Sequence, residues 1–313
     1  MTKIRRAAGP LYGSMPTMRR RDFLTTVAAA GAAAATSLHA QTPPAPIKRK
    51  GRIKQSLFRT VFGQNTPGLT TLDEHCREAA RLGAYGFELI PPADWPTLKK
   101  YGLVPTMAPM SFTTIPDGIV HKEQHDALEK ALKGAVDVCA AGGCEKIITF
   151  GGQRKGMSYE EGLDNCAVFL NRVKSYLEDK RVTICVENTN SKYPDNLLGR
   201  PDQLADHAAW GFELCRRVNS PRVKMLFDIY HAQVQDGNVA ATIKDNFQWI
   251  AHFHTAGVPG RHELDDTQEL NYRFVAQTIA DLGFTGYVAH EYRPTPGRDP
   301  IKGLEAGMAI LDV

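Results

Sequence analysis

The chain has 313 residues, 42% of them hydrophobic and 23% charged, with 38 Lys/Arg against 34 Asp/Glu, a formal charge of +4 and a mean hydropathy of −0.31. Residues 1–40 hold six of the basic side chains and one of the acidic ones, which leaves 32 against 33 in the remainder, close to −1. That balance does not support the basic footprint of a nucleic-acid binder, and what remains is long enough for one (β/α)8 barrel of about 250 residues.

Arg19-Arg20-Arg21-Asp22-Phe23-Leu24 precedes an Ala-rich run from Thr25 to Ala35, and Leu38-His39-Ala40 closes it. A basic start, a moderately apolar middle and a small-residue end describe an export signal over residues 1–40. Arg20-Arg21-x-Phe23-Leu24 fits the twin-arginine type and predicts a periplasmic protein exported already folded. The Ala/Gly run is too short and too weakly apolar to cross a bilayer, so no stable membrane span is expected in the mature chain. Cleavage of the signal and the choice among Met1, Met15 and Met18 as start stay open. Residues 41–51 (QTPPAPIKRKG) read as a Pro-rich linker.

From residue 52 onward, strand-like and helix-like segments alternate. Strands are predicted over 53–58, 85–90, 104–109, 146–150, 182–187, 223–227, 250–254 and 286–291. Helices are predicted over 72–82, 95–101, 122–141, 159–179, 201–218, 239–247 and 271–282, with a last one over 301–310. Such alternation predicts an α/β fold with a parallel sheet and crossover helices. Strands as apolar as VKMLF imply burial on both faces. The first strand has no GxGxxG after it, and polar strand ends are spread over many units, which favours a single (β/α)8 TIM barrel over a doubly wound sheet. Six cysteines (76, 139, 144, 166, 185 and 215) form no CxxC pair and read as small buried apolar residues. Trp95, Trp210 and Trp249 are expected between barrel and helices, and Met107 and Met110 in its wall.

Four segments of the second half end in a metal-capable side chain: VTICVEN in Glu187, VKMLFDIYH in Asp228 and His231, IAHFHTAG in His254, and GYVAHEY in Glu291. The successive gaps, Glu187 to Asp228, Asp228 to His254 and His254 to Glu291, are 41, 26 and 37 residues, about one strand-plus-helix unit each. A parallel barrel gathers the C-terminal ends of its strands at one mouth. Three carboxylates and one imidazole there would suit Mn²⁺ or Mg²⁺, with Co²⁺ also admissible, better than zinc. Such an ion stabilises the enediolate formed when the C–H beside a carbonyl loses its proton, and Glu187 and Glu291 would exchange that proton. This is the kit of an aldose–ketose isomerase or an epimerase. His252 and His254 are read as facing opposite ways, with His254 toward the mouth. The Gly257–Arg261 loop (GVPGR) belongs at the mouth, where Arg261 would hold a substrate carboxylate or hydroxyl. Glu88, in GFELI of the second strand, is placed there as a further substrate contact. Gly151-Gly152-Gln153-Arg154 is a weak Gly-rich loop signal.

VENTN, FDIYHAQ, HFHTAGVPGRHE, ELNY (Glu269 to Tyr272) and GYVAHEYRP resemble the xylose-isomerase-like barrel superfamily, and within it the hydroxypyruvate isomerase branch. The resemblance covers most of residues 52–313. It implies a metal held by Glu187, Asp228, His254 and Glu291, the two glutamates as acid/base pair, and substrate contacts from His231 and Arg261. The implied reaction is conversion of hydroxypyruvate to tartronate semialdehyde. Cytoplasmic hydroxypyruvate isomerases commonly carry Gln at the position of His254, whereas sugar-epimerase relatives carry His. A ketose 3-epimerase or a keto-sugar dehydratase on the same site therefore stays open. So, further off, do a metal-dependent abasic-site endonuclease and a non-catalytic solute-binding barrel. The expected partner is a small hydroxy-carbonyl compound; the oligomeric state is left open, a homo-oligomer included.

Overall fold

Eight short strands form one all-parallel sheet: β1 Lys54–Leu57, β2 Gly86–Glu88, β3 Val104–Met107, β4 Lys146–Thr149, β5 Thr183–Glu187, β6 Val223–Asp228, β7 Ile250–Thr255 and β8 Tyr287–His290. These come from a computed structural model that describes residues 45–64, 66–194 and 198–313. The expected export signal over residues 1–40 lies outside the described residues. The neighbour order is β3-β2-β1-β8-β7-β6-β5-β4. The two ends meet through a parallel bridge from Ala108 to Ile147, where Ala108 N donates to Lys146 O (2.8 Å). The sheet thereby closes into a (β/α)8 barrel, in which chain order around the wall follows sequence order.

Crossover helices connect the strands, and their ends follow from local chemistry. Thr71 and Glu74 form a reciprocal capping box that starts the helix Leu72–Arg81. The Ser158 hydroxyl accepts the Glu161 N–H (3.1 Å) and starts Tyr159–Lys180. Gly143, at φ 81°, ends His125–Gly142 in the left-handed conformation that glycine adopts without a Cβ clash. Among the described residues no helix is long and apolar enough to cross a membrane.

Two differences from the sequence reading bear on the site. The helix predicted from Pro201 begins only at Ala208; the residues before it cross the mouth, where Leu204 N donates to Gly152 O (3.0 Å) and Thr189 N to Ala205 O (2.8 Å). A seven-residue helix, Ile229–Gln235, follows β6 and was not expected. It is too short to show a 3.6-residue period, and it is started by Asp228, whose side chain accepts the His231 N–H.

Most of the apolar core lies between sheet and helices. A smaller cluster of Met107, Ile148, Phe150, Cys185 and Leu226 is separate from it, with Leu89 and Met110 packed against it. All six cysteines are free and buried. Residues 45–51, read as linker, are tied to the rest of residues 45–313: Ile47 N donates to Arg81 O (2.7 Å), Arg49 Nε to Leu82 O (3.0 Å) and Lys50 N to Asp312 Oδ1 (2.7 Å).

Candidate active site

The polar strand ends converge as parallel register requires. Asp228 and His254 are direct register partners on β6 and β7, Glu187 ends the neighbouring β5, and Glu291 follows the last residue of β8. Each offers one donor atom within 4.8 Å of the other three. His254 Nδ1 is central: Glu291 Oε2 lies 2.8 Å from it, Glu187 Oε1 3.1 Å and Asp228 Oδ2 3.9 Å. Arg261 Nη2 donates to Glu291 Oε2 (2.6 Å) and reaches Asp228 Oδ2 (3.3 Å).

Local geometry aims each of these groups. Asn188 clamps the Asp228 backbone from both sides: Asp228 N donates to Asn188 Oδ1 (2.9 Å), and Asn188 Nδ2 donates to Asp228 O (3.0 Å). Two residues on, Asn190 Nδ2 donates to His231 Nδ1 (2.6 Å) and orients that ring. Arg261 sits at φ 59°, a left-handed backbone that costs a non-glycine residue about 1–2 kcal/mol. The turn holding it is pinned by Gly257 N to His262 O (2.8 Å) and Arg261 N to Gly257 O (2.9 Å). A Cβ on Gly257 would lie 2.3 Å from Glu263 O, so the turn requires glycine there.

A cavity of about 480 Å³ opens at this mouth. Glu187, His231, Arg261 and Glu291 line one side; Leu89, Met110, Ile115, Ile148 and Phe150 line the other. Asp228 and His254, each 1% exposed, lie behind the lining. The sequence-predicted residues are thus together, with one exception. Glu88 does not line the cavity; it is fully buried and faces β7, where its Oε2 lies 2.9 Å from His252 Nε2 and 3.0 Å from His254 Nε2. β2 is too short to carry Glu88 to the mouth, and the residue after it, Leu89, takes the lining position. The two histidines do not face opposite ways. Positions two apart on a strand share a face, and both rings point to the same carboxylate. Asn188 and Asn190 were given no role from sequence, and His252 was read only as facing away from the mouth; the alternation of VENTN and HFH is the signal that would have placed them.

Burial and charge set the electrostatics. Burial raises the Glu187 carboxyl to about 7, against the pull of His254. Burial also opposes ionisation of Glu291, but Arg261 and then His254 outweigh it and hold that group well below the usual carboxylate range. Burial disfavours the charged form of His254, yet the carboxylates of Glu88 and Glu291 raise it well above its ordinary value. Two buried carboxylates, the half-buried Glu291 and a buried imidazole, meeting at distances a hydrogen bond or a cation would bridge, form an oxygen-rich set with one nitrogen, which fits Mn²⁺ or Mg²⁺.

These shifts predict how stability varies with pH in chelator. His254 is raised, so its contribution is full below 6.5 and is lost as pH climbs through its folded value. Glu187, an acid raised to about 7, has lost its contribution by then. His231, His252 and His290 are depressed by burial, so their opposing gain is complete above 6.5. The urea midpoint of the chelated protein is therefore expected to fall between about pH 7 and pH 8.5. A flat or rising midpoint counts against the placement of His254.

Residues 76–312 match the family model described as "Xylose isomerase-like TIM barrel". A 2-oxo-tetronate isomerase of Cupriavidus necator is 37% identical over 117 residues, which are 37% of this chain and 42% of that protein. A human protein named putative hydroxypyruvate isomerase is 29% identical over 190 residues, 57% of this chain and 64% of its own. The chain thus matches less than two thirds of the length of these relatives. Among solved structures, an AP endonuclease, family 2, from Brucella melitensis superposes with a TM-score of 0.70 at 23% identity, covering 82% of this chain and 97% of that one. At that identity the likeness shows the fold alone.

Proposed function

This chain belongs to the xylose isomerase-like TIM-barrel family, and we propose that it is a metal-dependent isomerase of a small hydroxy-carbonyl compound. Hydroxypyruvate, interconverted with tartronate semialdehyde, is the first candidate substrate, and 2-oxo-tetronate is the second. The observation that carries the proposal is the pair of carboxylates, Glu187 and Glu291, on the cavity wall 3.1 and 2.8 Å from the same His254 nitrogen.

Glu187, Asp228, His254 and Glu291 would hold the ion. When bound, it polarises the substrate carbonyl and steadies negative charge on its oxygen. Glu291, kept ionised by Arg261, takes a proton from the hydroxymethyl carbon. The electron pair of that C–H bond forms the new C=C bond as the carbonyl oxygen takes up charge. Glu187, on the same cavity wall, would return a proton to the former carbonyl carbon while the hydroxyl proton passes between the two oxygens; Glu291 then gives its proton to solvent and Glu187 takes one up. Carboxyl groups whose surroundings push their proton affinities apart are how one site supplies both a base and an acid. Arg261, which already pairs with Glu291 and Asp228, and His231, oriented by Asn190, position the substrate.

A second reading is favoured by the cavity. Its volume of about 480 Å³ and its apolar wall exceed the needs of a three-carbon acid and leave room for a ketose. Removal of the proton from C3 of a ketose by one glutamate and its return to the opposite face of C3 by the other would make the protein a ketose 3-epimerase. One experiment separates these readings: incubation in D₂O with Mn²⁺ and a panel of hydroxypyruvate, 2-oxo-tetronate and hexuloses, followed by NMR. Deuterium and product are expected in the small 2-oxo acids. Exchange confined to C3 of a ketose would replace the isomerase by the epimerase. No exchange in any of them would sink both. The periplasmic address read from residues 1–40 is a separate proposal, tested by fractionating cells that carry the chain with Arg20 and Arg21 changed to Lys.

A further inference from the structure

A histidine binds a metal through the nitrogen that carries no proton, so the other ring nitrogen decides whether it can be a ligand. In His254 the nitrogen facing Glu187 and Glu291 is Nδ1, and Nε2 points away, 3.0 Å from Glu88 Oε2. His252 Nε2 lies 2.9 Å from the same oxygen, and the two rings stand edge to face at 82°. The carboxylate they share is fully buried, and its second oxygen, Oε1, has no hydrogen-bond partner. Such a group is costly in a barrel interior unless charged hydrogen bonds compensate it. Oε2 can only accept, so the arrangement is satisfied when both rings carry their proton on Nε2. For His254 this leaves the Nδ1 lone pair directed at the three carboxylates. With the proton on Nδ1 instead, the ring would face Glu88 with a lone pair and could not coordinate an ion.

We infer that Glu88 is a positioning residue that fixes His254 in the Nε2–H form and presents Nδ1 to the cation, while His252 holds Glu88 in place by the second hydrogen bond. The inference rests on the metal reading proposed above. It explains why an acid fully buried behind the cavity lining faces a strand whose neighbour in the barrel wall it is not: β1 and β8 lie between β2 and β7.

The test is calorimetric titration of the chelated full chain with Mn²⁺, together with the visible absorption of the Co²⁺ form, for wild type, Glu88→Leu and Glu88→Gln. Loss of such a supporting partner typically weakens metal binding by about 10–100-fold. Glu88→Leu is expected to show that loss with one ion per chain and an altered Co²⁺ band. Glu88→Gln keeps a carbonyl acceptor and should fall between the two. If Glu88→Leu does not fold, Glu88→Gln alone carries the comparison. Variants that bind as tightly as wild type with an unchanged band overturn the inference and leave the metal reading standing. Two ions per wild-type chain, one of them lost in the variants, would overturn it in favour of a second site on Glu88, His252 and His254. A wild type that binds no ion would overturn the metal reading itself, and this inference with it.

Discussion

Glu291→Gln is expected to fold and to lose turnover by about 10²–10⁴-fold, the range for removing a positioned proton-transfer group. The substitution is isosteric, and the amide oxygen can still accept from Arg261 Nη2, which lies 2.6 Å from Glu291 Oε2 in the native site. What it removes is a carboxylate that Arg261 and His254 keep ionised and that the proposal uses both as base and as a ligand of the ion. The C–H bond beside a carbonyl breaks slowly without such a base. The effect should therefore fall on kcat more than on KM, because Arg261 and His231 still line the cavity. Turnover of small 2-oxo acids and deuterium exchange, measured side by side, check this. If turnover stays within a few fold of wild type while the variant is folded, Glu291 is not the base and the proposed mechanism fails.

If the proposed ion is bound, stripping it is expected to be the second large effect. Glu187, Asp228 and Glu291 converge on His254 and Arg261, with His231, itself depressed by burial, 3.7 Å from Asp228. Burial raises Glu187 and Asp228, the mark of carboxylates that lack enough positive charge. A divalent cation would supply it. Chelated protein should lose turnover and regain it on addition of Mn²⁺. Free Mn²⁺ at 100 times its dissociation constant should stabilise the fold by about 2.7 kcal/mol. Thermal unfolding in chelator and in graded Mn²⁺, Mg²⁺ and Co²⁺ reads this directly. A midpoint indifferent to all three ions would rule out a metal at this site.

The barrel was legible in the sequence because each unit repeats one local pattern: an apolar run, a polar end, then an amphipathic helix closed by Gly or Pro. Each of the eight strands falls within its expected span or overruns it by one residue at its end. Glu187, Asp228, His254 and Glu291 were legible for the same reason, since strand ends spaced by one unit must meet at one mouth. What the chain's one-dimensional pattern did not contain was depth and direction. Glu88 ends a strand like the others, but β2 spans only Gly86–Glu88, so Glu88 stays buried and Leu89 reaches the cavity. That His252 shares the Glu88 oxygen with His254 depends on the distance across the barrel, which no local spacing encodes. The partnering of Asn188 with Asp228 and of Asn190 with His231 joins residues about 40 positions apart, and only the pairing of β5 beside β6 sets it. The sequence by itself determined which side chains would gather, because strand period and unit length are local properties. The tertiary structure decided which of them face the cavity and which support from behind, because that depends on how far each strand reaches and on what lies across the barrel.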